Sequence, residues 1–178
     1  MLIRARIAVS IDGFVATPDG WPAILAMSSF DPGKSHGFPA FLEQCEAVVV
    51  GRTTFEPALQ APSWPWPGKK VYVLTSRPLA VETSEDVTVV NGGPAALVEQ
   101  LRAARLTGDV HLLGGPKTIQ AFRALDAIDR LELLILPILI GDGLPLFSPG
   151  AAPRSLHLDR QQTFPDGTLE LVYSLGEL

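Results

Sequence analysis

VVVGRTTFE (48–56) and DVHLLGGPKTI (109–119) decide the reading of this chain. In each, a run of apolar β-formers ends at glycine, and a helix-compatible stretch starts directly after it. Repeated strand–helix order of this kind builds a parallel sheet. It is also the layout of an anion site. Glycine lets the backbone approach a phosphate, and the free N–H groups of a helix start point toward it. A basic residue sits in each segment, Arg52 and Lys117. Two such sites in one small chain imply a ligand with two or more phosphates, which points to a dinucleotide.

Outward from these segments, the pattern stays α/β through residue 125. LIRARIAVS (2–10) enters as a strand, and Asp12-Gly13 gives a turn. Residues 17–37, rich in Pro, Gly, Asp and Ser, form a long loop of the kind that often carries function. FPAFLEQCE (38–46) reads as a short amphipathic helix with Cys45 on its apolar face, and 47–50 as a buried strand. VYVLT (71–75) and DVTVV (86–90) are further strands. Residues 94–105 and 116–125 are helices with proline in the first turn, and Gly114-Gly115 forms the turn before the second. RLELLILPIL (130–139) reads as one long strand, followed by a Gly/Pro-rich corner at 141–150. Residues 155–164 and 167–175 form a hairpin turning at Pro165-Asp166-Gly167. The strands near 48, 71, 87 and 110 are apolar enough to be parallel and buried on both faces.

The 178 residues suit one domain, spanning 1–178. Apolar residues make up 47% and charged residues 19%, a globular composition. The net charge of −5 argues against a general nucleic-acid binder. The longest apolar run, 131–140, is broken by Pro137, so no membrane span is expected. No signal peptide is read at the N-terminus, and a cytoplasmic location follows by default. Cys45 is the only cysteine, and no His/Asp/Glu grouping has metal-ligand spacing, so no metal is expected.

Gly51, Arg52, Thr53 and Thr54 fit a helix cap that cradles one phosphate. Gly114, Gly115, Pro116, Lys117 and Thr118 fit a second cradle at the next helix start. Both also fit plain strand–helix turns with solvated basic residues.

The joint order and spacing of five motifs carries a resemblance. They are Ser10-x-Asp12-Gly13, Gly51-Arg52-x-Thr54-x-Glu56, Leu74-Thr75-Ser76-Arg77, Gly114-Gly115, and the run from Pro137 to Phe147 (PILIGDGLPLF). Together they resemble the dihydrofolate reductase-like fold. Within it, they are most similar to the reductase domain forming the C-terminal half of bacterial riboflavin-biosynthesis deaminase–reductases, including its stand-alone RibD C-terminal-domain type. The resemblance implies a three-layer α/β/α domain whose mostly parallel central sheet carries an antiparallel C-terminal hairpin. It implies an NADPH-dependent reductase acting on a small heterocyclic or sugar-derived substrate, similar to the 5-amino-6-(5-phosphoribosylamino)uracil reductase domain. Thr75, Ser76 and Arg77 would take the adenosine 2′-phosphate, and 114–118 the pyrophosphate. Ser10, Asp12 and Gly13 would border nicotinamide and substrate, with Asp12 as proton donor or ribose-hydroxyl ligand. Trp21, His36, Leu139 and Gly141 would lie on the substrate side, where Trp21 fits either a cover or a surface staple. A homodimer through the C-terminal strands and the 141–147 corner is also implied.

Two absences narrow this reading. A single cysteine rules out the zinc-deaminase half, which needs Pro-Cys-x-x-Cys. Where dihydrofolate reductases place a carboxylate, this chain reads Lys34-Ser35-His36-Gly37. A dihydrofolate reductase recruiting Asp31 or Asp12 remains the enzyme alternative, and a non-catalytic nucleotide-binding module the other.

Overall fold

A computed structural model describes residues 1–29, 31, 35–79, 86–150 and 152–175. Its strands are β1 (Ile3–Ser10), β2 (Phe14–Ala16), β3 (Cys45–Gly51), β4 (Lys70–Leu74), β5 (Val87–Val90), β6 (Asp109–Gly114), β7 (Arg130–Leu136), β8 (Leu144–Pro145), β9 (His157–Thr163) and β10 (Leu169–Ser174). Its helices are α1 (Phe38–Gln44), α2 (Arg52–Ala58), α3 (Gly93–Ala103) and α4 (Pro116–Ala124). The expected mostly parallel sheet with an antiparallel C-terminal hairpin is what the chain forms. Two compact units share the chain: 1–5 with 39–128, and 6–38 with 129–178.

In the first unit, β5, β4, β3 and β6 run parallel in that order, and the start of β1 pairs with β6. Val48, Val49 and Val50 are completely buried, as a strand covered on both faces requires. Phe55 of α2 packs with Trp66, Val71 and Val73, and Trp64 sits edge-on to both Phe55 and Trp66. Leu97, Val98 and Leu101 form the buried stripe of α3, and Ile119 and Phe122 that of α4. At the amino end of β3, Glu46 takes the Lys70 ammonium at 2.7 Å and the amides of Thr107 and Gly108 at 2.7 and 3.1 Å.

In the second unit, β7, β10 and β9 form an antiparallel set, and β2 pairs with β8. The β2–β8 approach is so close that a Cβ on Gly143 would lie 2.2 Å from the Ala16 carbonyl oxygen. Only glycine fits there. All seven residues of β9 are exposed.

Four local expectations need correcting. The helix expected over 38–46 ends at Gln44, and Cys45 begins β3 instead. Cys45 is buried and its thiol donates to the Phe41 carbonyl at 3.4 Å. The Lys69 ammonium caps the carbonyls of Leu42 and Cys45 at 2.8 and 2.6 Å, which ends the helix there. The strand expected over 130–139 stops at Leu136, because Pro137 has no N–H and Ile138 turns back to bond the Leu136 carbonyl at 2.7 Å. Gly114 is the last residue of β6 and not part of a turn. Finally, the 17–37 loop contains a short 3-10 turn at Ala23–Ala26, with Ala23 and Met27 buried.

Candidate functional site

The expected site residues divide between the two units. Those expected to hold the cofactor lie in the first. Register places Gly51 beside Leu74, Leu74 beside Val90, and Val50 beside Gly114. The carboxyl ends of β5, β4, β3 and β6 therefore form one row, three strand spacings or about 14 Å long. In open α/β sheets, ligands bind outside that edge.

Within the row, Gly51, Gly114, Gly115, Thr54 and Thr118 converge. A Cβ on Gly51 would stand 2.7 Å from the Thr118 hydroxyl and 3.7 Å from the Gly114 carbonyl oxygen. A Cβ on Gly115 would stand 3.5 Å from the Thr54 hydroxyl, an ordinary contact. A side chain at Gly51 would crowd Thr118, whereas a Cβ at Gly115 would be tolerated against Thr54. Thr118 is buried and Pro116 opens α4, while Lys117 and Thr53 are exposed. Arg52 donates from Nε to Glu56 at 2.7 Å and from Nη1 to the Pro78 carbonyl at 3.4 Å, so its charge is shared with a neighbour on α2.

The turn after β4 is held by Thr75. Its buried hydroxyl donates to the Arg77 carbonyl at 2.8 Å and accepts the Arg77 amide at 3.1 Å. That hydroxyl is committed to shaping the turn. Ser76 and Arg77 are left exposed on it.

The catalytic and substrate candidates lie in the second unit. Ser10 is buried, and its hydroxyl donates to Asp12 Oδ1 at 2.6 Å while accepting the Phe14 amide at 2.9 Å. Asp12 Oδ2 accepts the amides of Ile140 and Gly141 at 3.1 and 2.7 Å. The Ser10 hydroxyl first, and then the Gly141 and Ile140 amides, hold the Asp12 carboxyl below its ordinary value against a smaller opposing effect of desolvation. In this arrangement the Asp12 carboxylate accepts hydrogen bonds from the Ser10 hydroxyl and from the Ile140 and Gly141 amides. Gly13 donates its amide to Ser10 and accepts from Leu146 at 3.0 Å. Trp21 is 59% and Leu139 72% exposed. Trp21 is tied through its backbone to Thr17.

His36 differs from expectation. Its ring is buried, with Nε2 2.7 Å from Asp166 Oδ2, and it packs edge-on to Phe164. Burial works to raise the Asp166 pKa, but the Thr168 amide and then His36 outweigh it and lower the value. The His36 carbonyl takes the Arg6 guanidinium at 2.5 Å. Arg6 in turn donates to Glu132 at 3.0 Å and Glu170 at 2.5 Å, both buried. His36 thus anchors the long loop to the hairpin turn and to a buried ion cluster. Asp166, Arg6, Glu132 and Glu170 were not singled out from sequence. The signal was the repeated Leu-Glu-Leu at 131–133 and 169–171, a carboxylate in the middle of each apolar strand, which requires a buried partner.

Residues 2–169 match the family described as RibD C-terminal domain. The protein YwjB of Bacillus subtilis (strain 168), itself uncharacterized, is 32% identical over 142 residues, 79% of each chain. The crystal structure of a protein assigned to riboflavin biosynthesis from Shewanella sp. PV-4 is similar, with a TM-score of 0.86, 28% identity, and coverage of 99% of this chain and 100% of that one. A diaminohydroxyphosphoribosylaminopyrimidine deaminase/5-amino-6-(5-phosphoribosylamino)uracil reductase from Thermotoga maritima shares the fold at a TM-score of 0.72 and 14% identity, over 98% of this chain and 56% of that one.

Proposed function

The chain belongs to the RibD C-terminal domain family, and from that membership we propose that it is an NADPH-dependent reductase of small heterocyclic or sugar-derived substrates. The observation that carries the reading is the row at the carboxyl ends of β5, β4, β3 and β6, where Gly51, Gly114 and Gly115 converge with the Thr54 and Thr118 hydroxyls. Gly51, Thr54, Gly114, Gly115 and Thr118 would hold the pyrophosphate, with Pro116 starting the helix behind it. Arg52, Thr53 and Lys117 would add charge and hydroxyl contacts at the rim. Ser76 and Arg77, on the turn that Thr75 fixes, would take the adenosine 2′-phosphate. A guanidinium fork suits a phosphate dianion better than water does, which favours NADPH over NADH.

The cofactor, when bound, supplies a hydride to the carbon of a C=N or C=O bond. The substrate's nitrogen or oxygen would take its proton from solvent. Ser10 and Asp12 would fix the turn beside the substrate, with Gly13, Trp21, Leu139 and Gly141 facing it. His36 acts on that surface indirectly, by anchoring the loop. The wholly exposed β9, at the outer edge of the hairpin, supports a homodimer through the C-terminal strands.

The test is a fluorescence titration with NADPH and NADH in parallel, since Trp64 and Trp66 of the first unit give an intrinsic signal. Tight NADPH binding with much weaker NADH binding is expected. Absence of binding by either removes the reading, and binding without oxidation by any substrate panel leaves a nucleotide-binding module.

A further inference from the structure

The tip of a β-hairpin ordinarily lies in water, which satisfies the backbone groups of its turn. The tip at 164–168 is docked instead. The Asp166 side chain is 4% exposed and Thr168 is completely buried. Asp166 Oδ1 accepts the Thr168 amide at 3.0 Å, and Oδ2 lies 2.7 Å from His36 Nε2. His36 is restrained at three points. Its ring meets Asp166 and packs edge-on to Phe164, with centroids 4.8 Å apart. Its carbonyl takes the Arg6 guanidinium at 2.5 Å. Its φ is +46°, a left-handed value that a residue with a Cβ keeps only where its surroundings impose it.

The docked tip rests on the head of the corner. A Cβ on Gly167 would stand 3.4 Å from Pro137 Cγ, so the backbone of the tip lies against the proline ring. The β7–β10 register ends with Leu169 opposite Ile135. Pro137 has no N–H to extend it. From Pro137 onward the corner is held from its sides. The Ile138 carbonyl accepts the Ile11 amide at 3.1 Å, and the Ile140 and Gly141 amides meet Asp12 at 3.1 and 2.7 Å. Ile138 and Ile140 also pack against the cluster of Ala23, Met27 and Leu136. Contacts thus run without a break from His36 through Asp166, Gly167 and Pro137 to the amides that hold Asp12.

We propose that the hairpin tip is a brace for the 137–141 corner, with Asp166 and His36 as its positioning residues. Their bond seats the tip on Pro137 and so fixes the Ile140 and Gly141 amides in front of Asp12. The proposal rests on the reductase reading and deepens it, because that reading sets the substrate beside this corner. Packed, contiguous contacts can carry such coupling, and a response at the far end to a change at the near end demonstrates it.

The test is amide NMR of the full chain, without cofactor or substrate. Asp12→Asn supplies the signature of a released clamp. The Ile140 and Gly141 amide protons should move upfield as charge-assisted bonds are lost. They should also exchange with water about tenfold faster, the equivalent of losing one hydrogen bond. His36→Phe keeps a ring against Phe164 and removes the donor. It should carry the same two resonances most of the way to their Asp12→Asn positions, although residues 10–13 and 137–141 are unaltered. Asp166→Ala removes the acceptor from the other side and should do the same, and it serves as the second variant should His36→Phe not fold. His36→Gln keeps an N–H donor and should restore the wild-type positions. The Leu171 and Tyr173 amides in β10 should stay in place throughout. Unmoved Ile140 and Gly141 resonances in a folded variant would overturn the proposal. So would equal displacement of the β10 amides, which marks general loosening, or a His36→Gln protein no closer to wild type than His36→Phe. A parallel NADPH titration separates the two readings: no binding by the wild type sinks the reductase reading and leaves the NMR result on the brace standing.

Discussion

The carboxyl ends of β3 and β6 and the corner at 138–143 are both rich in glycine, yet only the corner is bonded to a carboxylate of the chain itself. At the edge, Gly115 stands beside the Thr54 hydroxyl, and the exposed Arg77 and Lys117 lie in the same unit. At the corner, the amides of Ile140 and Gly141 are already bonded to Asp12, and no basic residue occurs in the segments that build it. The two regions therefore differ in whether their backbone amides already carry a partner from the chain. The contrast extends to the interior of each unit. The first unit buries valines and aromatic rings, whereas the second buries an arginine with two glutamates.

The comparison can be broken hardest at that ion cluster. Arg6→Met leaves Glu132 and Glu170 buried without their shared guanidinium, and the expected loss is about 3–5 kcal/mol of stability. Urea unfolding measures it, and an unchanged midpoint would show that the cluster is not what holds the second unit. At the other region, Gly115→Val should lower NADPH affinity about a hundredfold, roughly 2.8 kcal/mol. The melting temperature should fall far less than the affinity, because the Cβ there makes only an ordinary contact with the Thr54 hydroxyl. Unaltered NADPH binding by a folded Gly115→Val protein would disprove the cradle.

A finer probe separates the two phosphate positions. Arg77→Ala should weaken NADPH by about tenfold, near 1.4 kcal/mol, and leave NADH almost unaffected. Equal losses for both cofactors would remove the 2′-phosphate assignment. The smallest effect concerns Glu46, at the opposite end of β3 from Gly51. The Lys70 ammonium beside it, with the Gly108 and Thr107 amides, holds its carboxyl down to about 2, against an ordinary 4.5. A carboxyl lowered on folding adds stability that is fully present above the ordinary value and is lost as pH falls through about 2. Thermal melts of wild type and Glu46→Gln should therefore differ near neutral pH and converge near pH 2. A difference that persists at pH 2 would mean the contribution is not electrostatic.

Local signals were readable in the chain. A valine run ending at Gly51, and another strand ending at Gly114-Gly115, state their geometry within ten residues, because strand burial and a tight turn depend on neighbouring side chains. Pro165-Asp166-Gly167 gave the hairpin turn for the same reason. The end of β7 was less legible. A run of Leu and Ile across Pro137 looks continuous by hydropathy, yet the missing N–H breaks the ladder. The start of β3 was misread because Cys45 fits a helix face as well as a strand, and the Lys69 cap that decides between them comes from 24 residues away.

Composition and spacing alone were enough for a parallel α/β sheet with glycine-lined strand ends, since those follow from periodicity and from the backbone freedom of glycine. Long-range charge pairing was not accessible that way. Arg6 meets Glu132 and Glu170 across 126 and 164 residues of chain, and Asp12 meets Gly141 across 129. Each partner is an ordinary residue in its own segment. Burial in the folded sheet removes water from around Arg6, Glu132 and Glu170, and only then must they find each other; the exposed Asp12 instead meets Gly141 because the fold brings two distant turns together.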